Sequence, residues 1–179
     1  PGLFKSWRKG NVGILNAIGT GIADDKVVYS YVNKMIVYYL GEQPILNQVE
    51  TYLCHEKIQR DYVIENISKL VVKPANASGG YGIMIGPKAP LKEREEVINK
   101  IKKNPREFIA QPLEILSTAP TITENDIEPR HLDLRPFVLS GKTSYVTTGG
   151  LTRVALRKGS TIVNSSQGGG SKDTLIVDM

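Results

Sequence analysis

A lysine followed by a cluster of glycines is the part of this sequence best suited to do chemistry. Lys73 ends a short apolar run, Leu70 to Val72, and a glycine-rich loop follows. The glycines of the loop are Gly79, Gly80 and Gly82. Glycines let backbone N–H groups approach a ligand closely, so this loop is suited to closing over phosphate oxygens. The lysine would add a positive point charge beside the same phosphates. A β-hairpin with a flexible tip and an incidental lysine is the alternative interpretation.

Two familiar glycine-rich phosphate-binding motifs do not match this stretch. The P-loop has its lysine after the glycines, next to Ser or Thr, whereas Lys73 precedes them. The dinucleotide-binding fingerprint opens a helix, but Ile83 to Ile85 is an apolar run that predicts a strand. The stretch therefore predicts strand, glycine flap and strand, with Ser78 to Gly82 as the flap.

Length and composition indicate an ordinary globular protein. The chain has 179 residues, 40% of them hydrophobic and 23% charged, and its apolar runs are far shorter than a membrane span. The single cysteine, Cys54, excludes an internal disulfide and fits a cytoplasmic location. The net charge of +5 is spread along the chain except at Lys100 to Lys103, which we interpret as a solvated helix face and not a nucleic-acid patch. A start at Pro1 without methionine leads us to expect a fragment of a longer protein.

The first part of the chain predicts a mixture of helices and strands. Asn11 to Asn16 reads as a strand, and Asp24 or Asp25 should cap a helix running to Leu40, which Gly41 ends. Further predicted elements are a helix near His55 to Ser68, a helix at Lys92 to Lys103 and a buried strand at Phe108 to Gln111.

The second part is rich in predicted strands separated by short turns. These strands are Leu132 to Leu139, Thr143 to Thr148, Gly150 to Leu156 and Thr161 to Asn164. We therefore predict an α+β fold with a flap-bearing subdomain, approximately 1–112, and a β-rich subdomain, 113–179. A nucleotide would lie between the antiparallel sheets of the two subdomains.

An ordered series of motifs runs along the chain. It comprises Asp25-Lys26, Gly41 to Pro44, Val72 to Pro74, Ser78 to Gly82, Ile109 to Gln111, Asp133-Leu134-Arg135 and Asn164. With these motifs the chain resembles an ATP-grasp domain. Longer phrases carry a closer match, namely Gly19 to Lys26, Asp133 to Gly141 and Asn164 to Asp173. On these phrases the chain is similar to the circularly permuted ATP-grasp proteins (type 2), which are related in fold to glutathionylspermidine synthase.

The resemblance implies an ATP-dependent carboxylate–amine ligase. A substrate carboxylate would attack the γ-phosphate to give an acyl phosphate, and an amine would then displace phosphate. The implied cofactors are ATP and Mg²⁺, and the implied substrates are a small-molecule carboxylate and amine, with no nucleic acid or membrane partner. A partner protein encoded with it is also compatible with the resemblance.

By the same resemblance, one set of residues should bind the nucleotide. Lys26 and Lys73 would hold the α- and β-phosphates, and the flap residues would cover them. The flap residues are Ser78, Gly79, Gly80, Tyr81 and Gly82. The strand from Ile109 to Leu113 would supply backbone groups to the adenine edge, with the Gln111 side chain able to donate and accept hydrogen bonds. The alternatives are an exposed charge for Lys26 and a plain core strand around Gln111.

A second set should bind the metal and the transferred phosphoryl group. Asp133 and Arg135 alternate with Leu134 along a strand, so both should lie on one face. The resemblance makes Asp133 and Asn164 Mg²⁺ ligands, and Arg135 and Arg153 clamps on the phosphoryl group. The alternative for Asp133 and Arg135 is a surface ion pair.

The neighbourhood of Asn164 departs from the family pattern. Most ATP-grasp enzymes carry an acidic residue two places before the metal-binding Asn, where this chain has Ile162. In the flap, Ala77 replaces an acidic residue that is frequent in the nearest family members. Gln167 to Gly170 would form a mobile polar loop beside Asn164, or a simple linker.

Two further functions compete with the ligase hypothesis. The chain would be an ATP-binding module without turnover, serving as an interaction domain, or a kinase-like phosphotransferase that needs no amine. Phosphate release that depends on both a carboxylate and an amine distinguishes the ligase from both.

Overall fold

The computed structural model describes residues 2–16, 18–77, 79–124, 126–164 and 168–176. The chain divides into two compact units, residues 1–113 and 114–179. Each unit contains a four-stranded sheet in which the neighbouring strands are antiparallel. With the accompanying helices, this is an α+β architecture.

The first unit contains the described helices and half of the strands. Its helices are α1 (Leu3–Arg8), α2 (Lys26–Tyr29), α3 (Val32–Leu40), α4 (Lys57–Glu65) and α5 (Leu91–Lys103), with 3₁₀ turns at Thr20–Asp24 and Pro105–Glu107. Its strands are β1 (Tyr52–Leu53), β2 (Leu70–Pro74), β3 (Met84–Ile85) and β4 (Phe108–Pro112). The strand order is β1-β4-β2-β3, so β4 and β2 lie in the centre of the sheet.

The larger apolar core of the first unit lies between one sheet face and helices α4 and α5. Its members are Cys54, Val63, Ile67, Leu70, Val72, Met84, Ala89, Val97, Ile101 and Ala110. Val97 and Ile101 are one helical turn apart in α5, so they place a single apolar stripe on the sheet. Burial of this stripe is what anchors an otherwise highly charged helix.

The opposite face of the same sheet has a smaller core. It comprises Val27, Leu53, Ala75 and Ile109, with Tyr31 packed against it. Side chains alternate between faces along a strand, and Lys73 pairs with Ile109 while Val71 pairs with Gln111. Lys73 and Gln111 therefore project from the face that α2 covers only in part.

The second unit is a sheet of longer strands. Its strands are β5 (Thr118–Ile122), β6 (Ile127–Ser140), β7 (Ser144–Ala155) and β8 (Gly169–Lys172), in the order β5-β6-β7-β8. The buried apolar residues described in this unit are Val154, Ala155 and Val163.

Several predicted elements have different bounds in the structure. The strand predicted at Asn11 to Asn16 is wrong, because this segment forms bends and Leu15 is almost fully exposed. The single helix predicted from Asp25 to Leu40 is two helices, α2 and α3, separated at Ser30–Tyr31. The helix end at Gly41 is confirmed, with a left-handed φ of 67°.

In the second unit, the strands predicted separately on either side of Gly149 form one strand, β7. Thr161 to Asn164 is not a strand. Strands β1, β5 and β8 were not predicted. The predicted polar loop at Gln167 to Gly170 is also partly wrong, because Gly169 and Gly170 begin β8; Gln167 itself lies outside the described residues.

Helix α3 is bordered by an apolar groove of about 610 Å³, which we call the α3 groove. It is lined by one side of α3 and by the following segment, residues 42–48. Leu40, Ile45 and Leu46 are among the exposed apolar side chains there. None of the helices in the described part of the chain combines the length and the apolar character that crossing a membrane requires.

Candidate functional site

Lys73 is held on strand β2 by a hydrogen bond across the sheet. Its Nζ donates to Oε1 of Gln111 on β4 at 2.6 Å. Burial lowers the pKa of Lys73, and the positive charge of Lys26 lowers it further. The structure therefore brings the two predicted phosphate-binding lysines close enough to repel each other.

Lys26 lies at the start of α2, and its position has a clear local cause. The Asp25 carboxylate accepts a hydrogen bond from the Val27 N–H at 2.8 Å, which caps the helix as predicted. Arg106 pairs with the same carboxylate at 2.7 Å, so the pKa of Asp25 lies below its ordinary value. The helix start is thus tied to the segment before β4.

Lys26 also contacts the base of the glycine flap. Its backbone N–H donates to the Ala75 carbonyl at 2.8 Å, and its Nζ donates to the Ala77 carbonyl at 2.6 Å. The segment between β2 and the flap is therefore attached to the first residue of α2. The ammonium of Lys26 lies at the flap base and not in open solvent.

The flap has the backbone conformation that its glycines predict. Gly79, Gly80 and Gly82 have φ values of 71°, 81° and 72°, which residues with a side chain rarely adopt. At Gly82 a Cβ would lie 2.9 Å from Cγ of Pro74, so the flap returns closely over the end of β2. Tyr81 is 75% exposed at the tip. Ser78 lies outside the described residues.

The predicted order of strand, glycine flap and strand is confirmed, although the second strand is short. Val71 pairs with Ile85 and Val72 with Met84 in antiparallel register. The flap is therefore the loop of a β-hairpin, β2–β3, at the edge of the sheet.

Gln111 has a partner at each end of its amide. Oε1 accepts from Lys73, and Nε2 donates to Oγ1 of Thr51 at 2.8 Å. The Thr51 hydroxyl donates in turn to the Val49 carbonyl at 2.9 Å. Both ends of the Gln111 amide thus have protein partners, and the contact of this strand with adenine stays a prediction. Thr51 was missed by the sequence analysis, since nothing local marks a residue 60 positions away from its partner.

Asp133, Arg135 and Arg153 form the charged group of the second unit. Asp133 of β6 pairs directly with Arg153 of β7, and its two carboxylate oxygens accept from Arg153 at 2.9 Å (Nε) and 2.5 Å (Nη2). Arg135 lies 3.6 Å from the same carboxylate, which agrees with the expected shared face. The hydrogen bonds from Arg153 are the main reason why the pKa of Asp133 is lowered.

Asn164 lies in the same unit, before β8. Its carbonyl oxygen accepts from the Gly169 N–H at 3.0 Å. A Cβ at Gly169 would lie 2.2 Å from the Val163 carbonyl oxygen, so only glycine fits this close return. Across the described ranges, no three His, Cys, Asp or Glu side chains cluster so as to hold a metal ion.

The predicted site residues thus form two groups, one in each unit. The first contains Lys26, Lys73, Gln111 and the flap, and the second contains the Asp133 cluster with Asn164. The first group offers cations and backbone N–H groups, which suit an anion. The second offers two guanidinium groups fixed by one carboxylate. Their convergence on one nucleotide stays a prediction.

The match to a known family agrees with this arrangement. Residues 1–155 match the family described as circularly permuted ATP-grasp type 2. The chain belongs to this family, and the resemblance drawn from its motifs is confirmed.

Over the aligned regions, curated relatives are about half identical in sequence to this chain. It is 54% identical to "Uncharacterized protein sll0335" of Synechocystis sp., over 99% of this chain and 37% of the relative. It is 52% identical to "Uncharacterized protein Rv2411c" of Mycobacterium tuberculosis, over 98% of this chain and 32% of the relative. It is 51% identical to "Putative glutamate--cysteine ligase 2-2" of Frankia casuarinae, over 97% of this chain and 20% of the relative. The chain therefore spans about a third of the first two relatives and a fifth of the third.

Proposed function

We propose that this chain is the nucleotide-binding part of an ATP-dependent carboxylate–amine ligase that acts through an acyl phosphate. The observation that carries the proposal is the hydrogen bond from Lys26 Nζ to the Ala77 carbonyl at the base of the glycine flap, with Lys73 near enough for the charge of Lys26 to lower its pKa. Membership in an ATP-grasp family and the ligase name of the Frankia relative support it.

Two neighbouring ammonium groups favour an anionic ligand. Lys73 is partly buried and close to Lys26, so its charged form is disfavoured without a counter-charge. A phosphate oxygen between them would offset the repulsion and restore the charged form. ATP binding should therefore take up protons at alkaline pH, and affinity should fall as the pH rises through the lowered pKa of Lys73.

The remaining parts of the first unit would cover and orient the nucleotide. We propose that the flap, Ser78 to Gly82, covers the phosphates with backbone N–H groups. Strand β4 pairs with β2 along its length but with β1 only at Ile109 and Ala110, so the adenine edge would meet backbone groups beyond the β1 pairing, at Pro112–Leu113. Gln111 would act on the nucleotide through its hydrogen bond to Lys73.

In the second unit, Arg135 and Arg153 would neutralise charge on the transferred phosphoryl group. Asp133 holds Arg153 in place by two hydrogen bonds. Mg²⁺ at nucleotide sites needs only one or two protein ligands, since the phosphates supply others, so Asp133 and Asn164 would supply the protein ligands. When bound, Mg²⁺ would reduce the negative charge of the phosphates.

The proposed reaction has two bond exchanges. An oxygen of the substrate carboxylate attacks the γ-phosphorus, the bond from that phosphorus to the ADP oxygen breaks, and an acyl phosphate forms. The amine nitrogen then attacks the acyl carbon, phosphate leaves, and the nitrogen loses a proton. The protein residues contribute positioning and charge neutralisation.

The Frankia name makes glutamate the first carboxylate to test. A glutamate–cysteine ligase joins a carboxylate to an amine, which is the bond type proposed here. The match covers only 20% of that relative, so its named activity belongs to a much larger protein. A panel of amino acids and polyamines should therefore accompany glutamate.

Nucleotide binding is tested by calorimetry with the Lys73→Ala variant. Loss of a charge-assisted contact should weaken ATP binding by about 10- to 100-fold. Lys69→Ala is the matched control, because Lys69 is exposed just before the same strand, and it should bind ATP normally. Equal affinity in the Lys73 variant and the control would reject the phosphate role.

Turnover is tested with the full-length protein, ATP, and the carboxylate and amine panel. ADP and phosphate should appear only when a carboxylate and an amine are both present. Arg135→Ala should retain ATP affinity and lose phosphate release. ATP binding without release would instead support an ATP-binding module, and phosphorylation without an amine would support a phosphotransferase.

A further inference from the structure

A continuous series of hydrogen bonds links a backbone carbonyl to the ammonium of Lys73. Thr51 Oγ1 donates to the Val49 carbonyl at 2.9 Å, and Gln111 Nε2 donates to Thr51 Oγ1 at 2.8 Å. Lys73 Nζ donates to Gln111 Oε1 at 2.6 Å. Each group in the series donates to the next one, from Lys73 through Gln111 and Thr51 to the Val49 carbonyl. We call this series the Thr51 relay.

The relay defines which end of the Gln111 amide faces the lysine. The Gln111 side chain is 8% exposed, so a misplaced amide could not turn to water for compensation. A rotated amide would direct its NH₂ group at the ammonium, two donors facing each other. The Thr51 oxygen accepts from NH₂ because its own proton is committed to Val49.

We propose that Thr51 is a positioning residue for the phosphate-binding lysine. Its hydroxyl orients the Gln111 amide, and the amide carbonyl holds the Lys73 ammonium by a hydrogen bond of 2.6 Å. The inference rests on the proposed function, because it assigns Lys73 to the nucleotide. It adds a residue that lies before β1 and touches no expected ligand.

The charged surroundings of Lys73 are simple enough for a clean measurement. In the part of the chain that the structure describes, the charge acting on Lys73 is that of Lys26 from α2. Gln111, which accepts the hydrogen bond from Lys73, is neutral, and so is Thr51, which accepts from Gln111. A change at Thr51 should therefore reach Lys73 through the orientation of the amide and not through a new charge.

The test compares Thr51→Val, which removes the hydroxyl but keeps the shape, with Thr51→Ser, which keeps the hydroxyl. Lysine NMR on the ATP-free chain, with the Lys73 signal assigned from Lys73→Arg, measures the titration of the ammonium. Calorimetry across pH measures ATP affinity. Thr51→Val should lower the pKa of Lys73 further and weaken ATP binding about 3- to 10-fold. Its loss of affinity on alkalinisation should begin at a lower pH.

Thr51→Ser should resemble the parent chain in both measurements. A purely structural role for Thr51 would lower thermal stability in Thr51→Val but leave the Lys73 titration and the ATP affinity unchanged, which would overturn the inference alone. The inference would also be overturned if Thr51→Val and Thr51→Ser changed the Lys73 titration and the ATP affinity equally. No ATP binding by the parent chain would instead overturn the proposed function, and with it the role given to Thr51.

Discussion

Asp133 carries a carboxylate between two arginines, and this setting determines what it can do. Both of its oxygens accept from Arg153, and Arg135 lies 3.6 Å away. A metal ion at Asp133 would share oxygens that already have partners. The described geometry therefore supports an arginine-orienting role for Asp133 at least as directly as the metal-binding role suggested by the motif.

Replacing Asp133 by Asn should lower stability in a pH-dependent way. The pKa of Asp133 is depressed in the folded chain, so its contribution is complete above the ordinary carboxyl pKa and is lost as the pH falls through the lowered value. At neutral pH, Asp133→Asn should reduce the free energy of unfolding by about 1 kcal/mol, since the pair is partly exposed. Denaturant unfolding at several pH values measures this.

The difference in the free energy of unfolding between the parent chain and Asp133→Asn should become smaller as the pH is lowered. Glu124→Gln is a suitable control, because Glu124 is exposed and the described structure gives it no ion pair. If this difference is the same at all pH values, the negative charge of Asp133 does not account for the stabilising interaction with Arg153.

Residue-level chemistry was predictable where it depends on neighbours in sequence. The Asp25 cap and the positive φ values of the flap glycines follow from local patterns. The contact between Lys26 and the Ala77 carbonyl joins residues 51 positions apart, so no local signal indicates it. Thr51 could not be predicted for the same reason, because its partner Gln111 lies 60 positions further along the sequence.

Gly86 shows how one residue permits the packing of several elements. It lies directly after β3, and its N–H donates to the Leu70 carbonyl at 2.8 Å. A Cβ at this position would lie 1.9 Å from the Ile67 carbonyl oxygen and 2.5 Å from that of Leu70. Backbone atoms cannot move aside as a flexible side chain can, so the hairpin end needs glycine.

Gly86→Ala should therefore be strongly destabilising. We expect a loss of about 3 kcal/mol in the free energy of unfolding, because the added methyl group forces strand β2 and the segment before it apart. Gly21→Ala is the matched control, since no atom lies within 4 Å of its Cβ position. The control should change stability by less than about 0.5 kcal/mol. Equal melting temperatures for the two variants would contradict the packing described.

Element boundaries were predicted well by apolar periodicity and poorly near glycines. Helix α5 and strand β2 have nearly the predicted bounds. Gly149 is a predicted break between two strands, yet β7 continues through Gly149 and Gly150. The opposing strand changes register between Pro136 and Val138, so the glycines accommodate an irregularity within a pair of strands and do not end it.

The α3 groove is the largest departure from what a helix face normally does. None of the residues of α3 is buried, although Val32, Met35 and Ile36 recur at helical spacing. Such spacing predicts an apolar helix face, but it cannot indicate whether a covering element is present. The chain spans about a third of its cyanobacterial and mycobacterial relatives.

Exposed apolar surface of this kind should bind a hydrophobic dye. We expect the chain to enhance the fluorescence of an anilinonaphthalene sulfonate, since large apolar patches mark binding surfaces. Leu46→Ser, at a groove position 81% exposed, should reduce the signal. Leu175→Ser, 84% exposed and outside the groove, should leave it unchanged. The same signal in all three proteins would show that the dye binds elsewhere.

The exposed apolar surface of the α3 groove also affects how ATP binding to this chain must be measured. The purified chain should self-associate as its concentration rises, because two α3 grooves that pack together remove apolar surface from water. Affinities for ATP would then vary with the amount of protein loaded into the calorimeter cell. A dilution series, read alongside sedimentation velocity, belongs with every binding curve recorded on this chain.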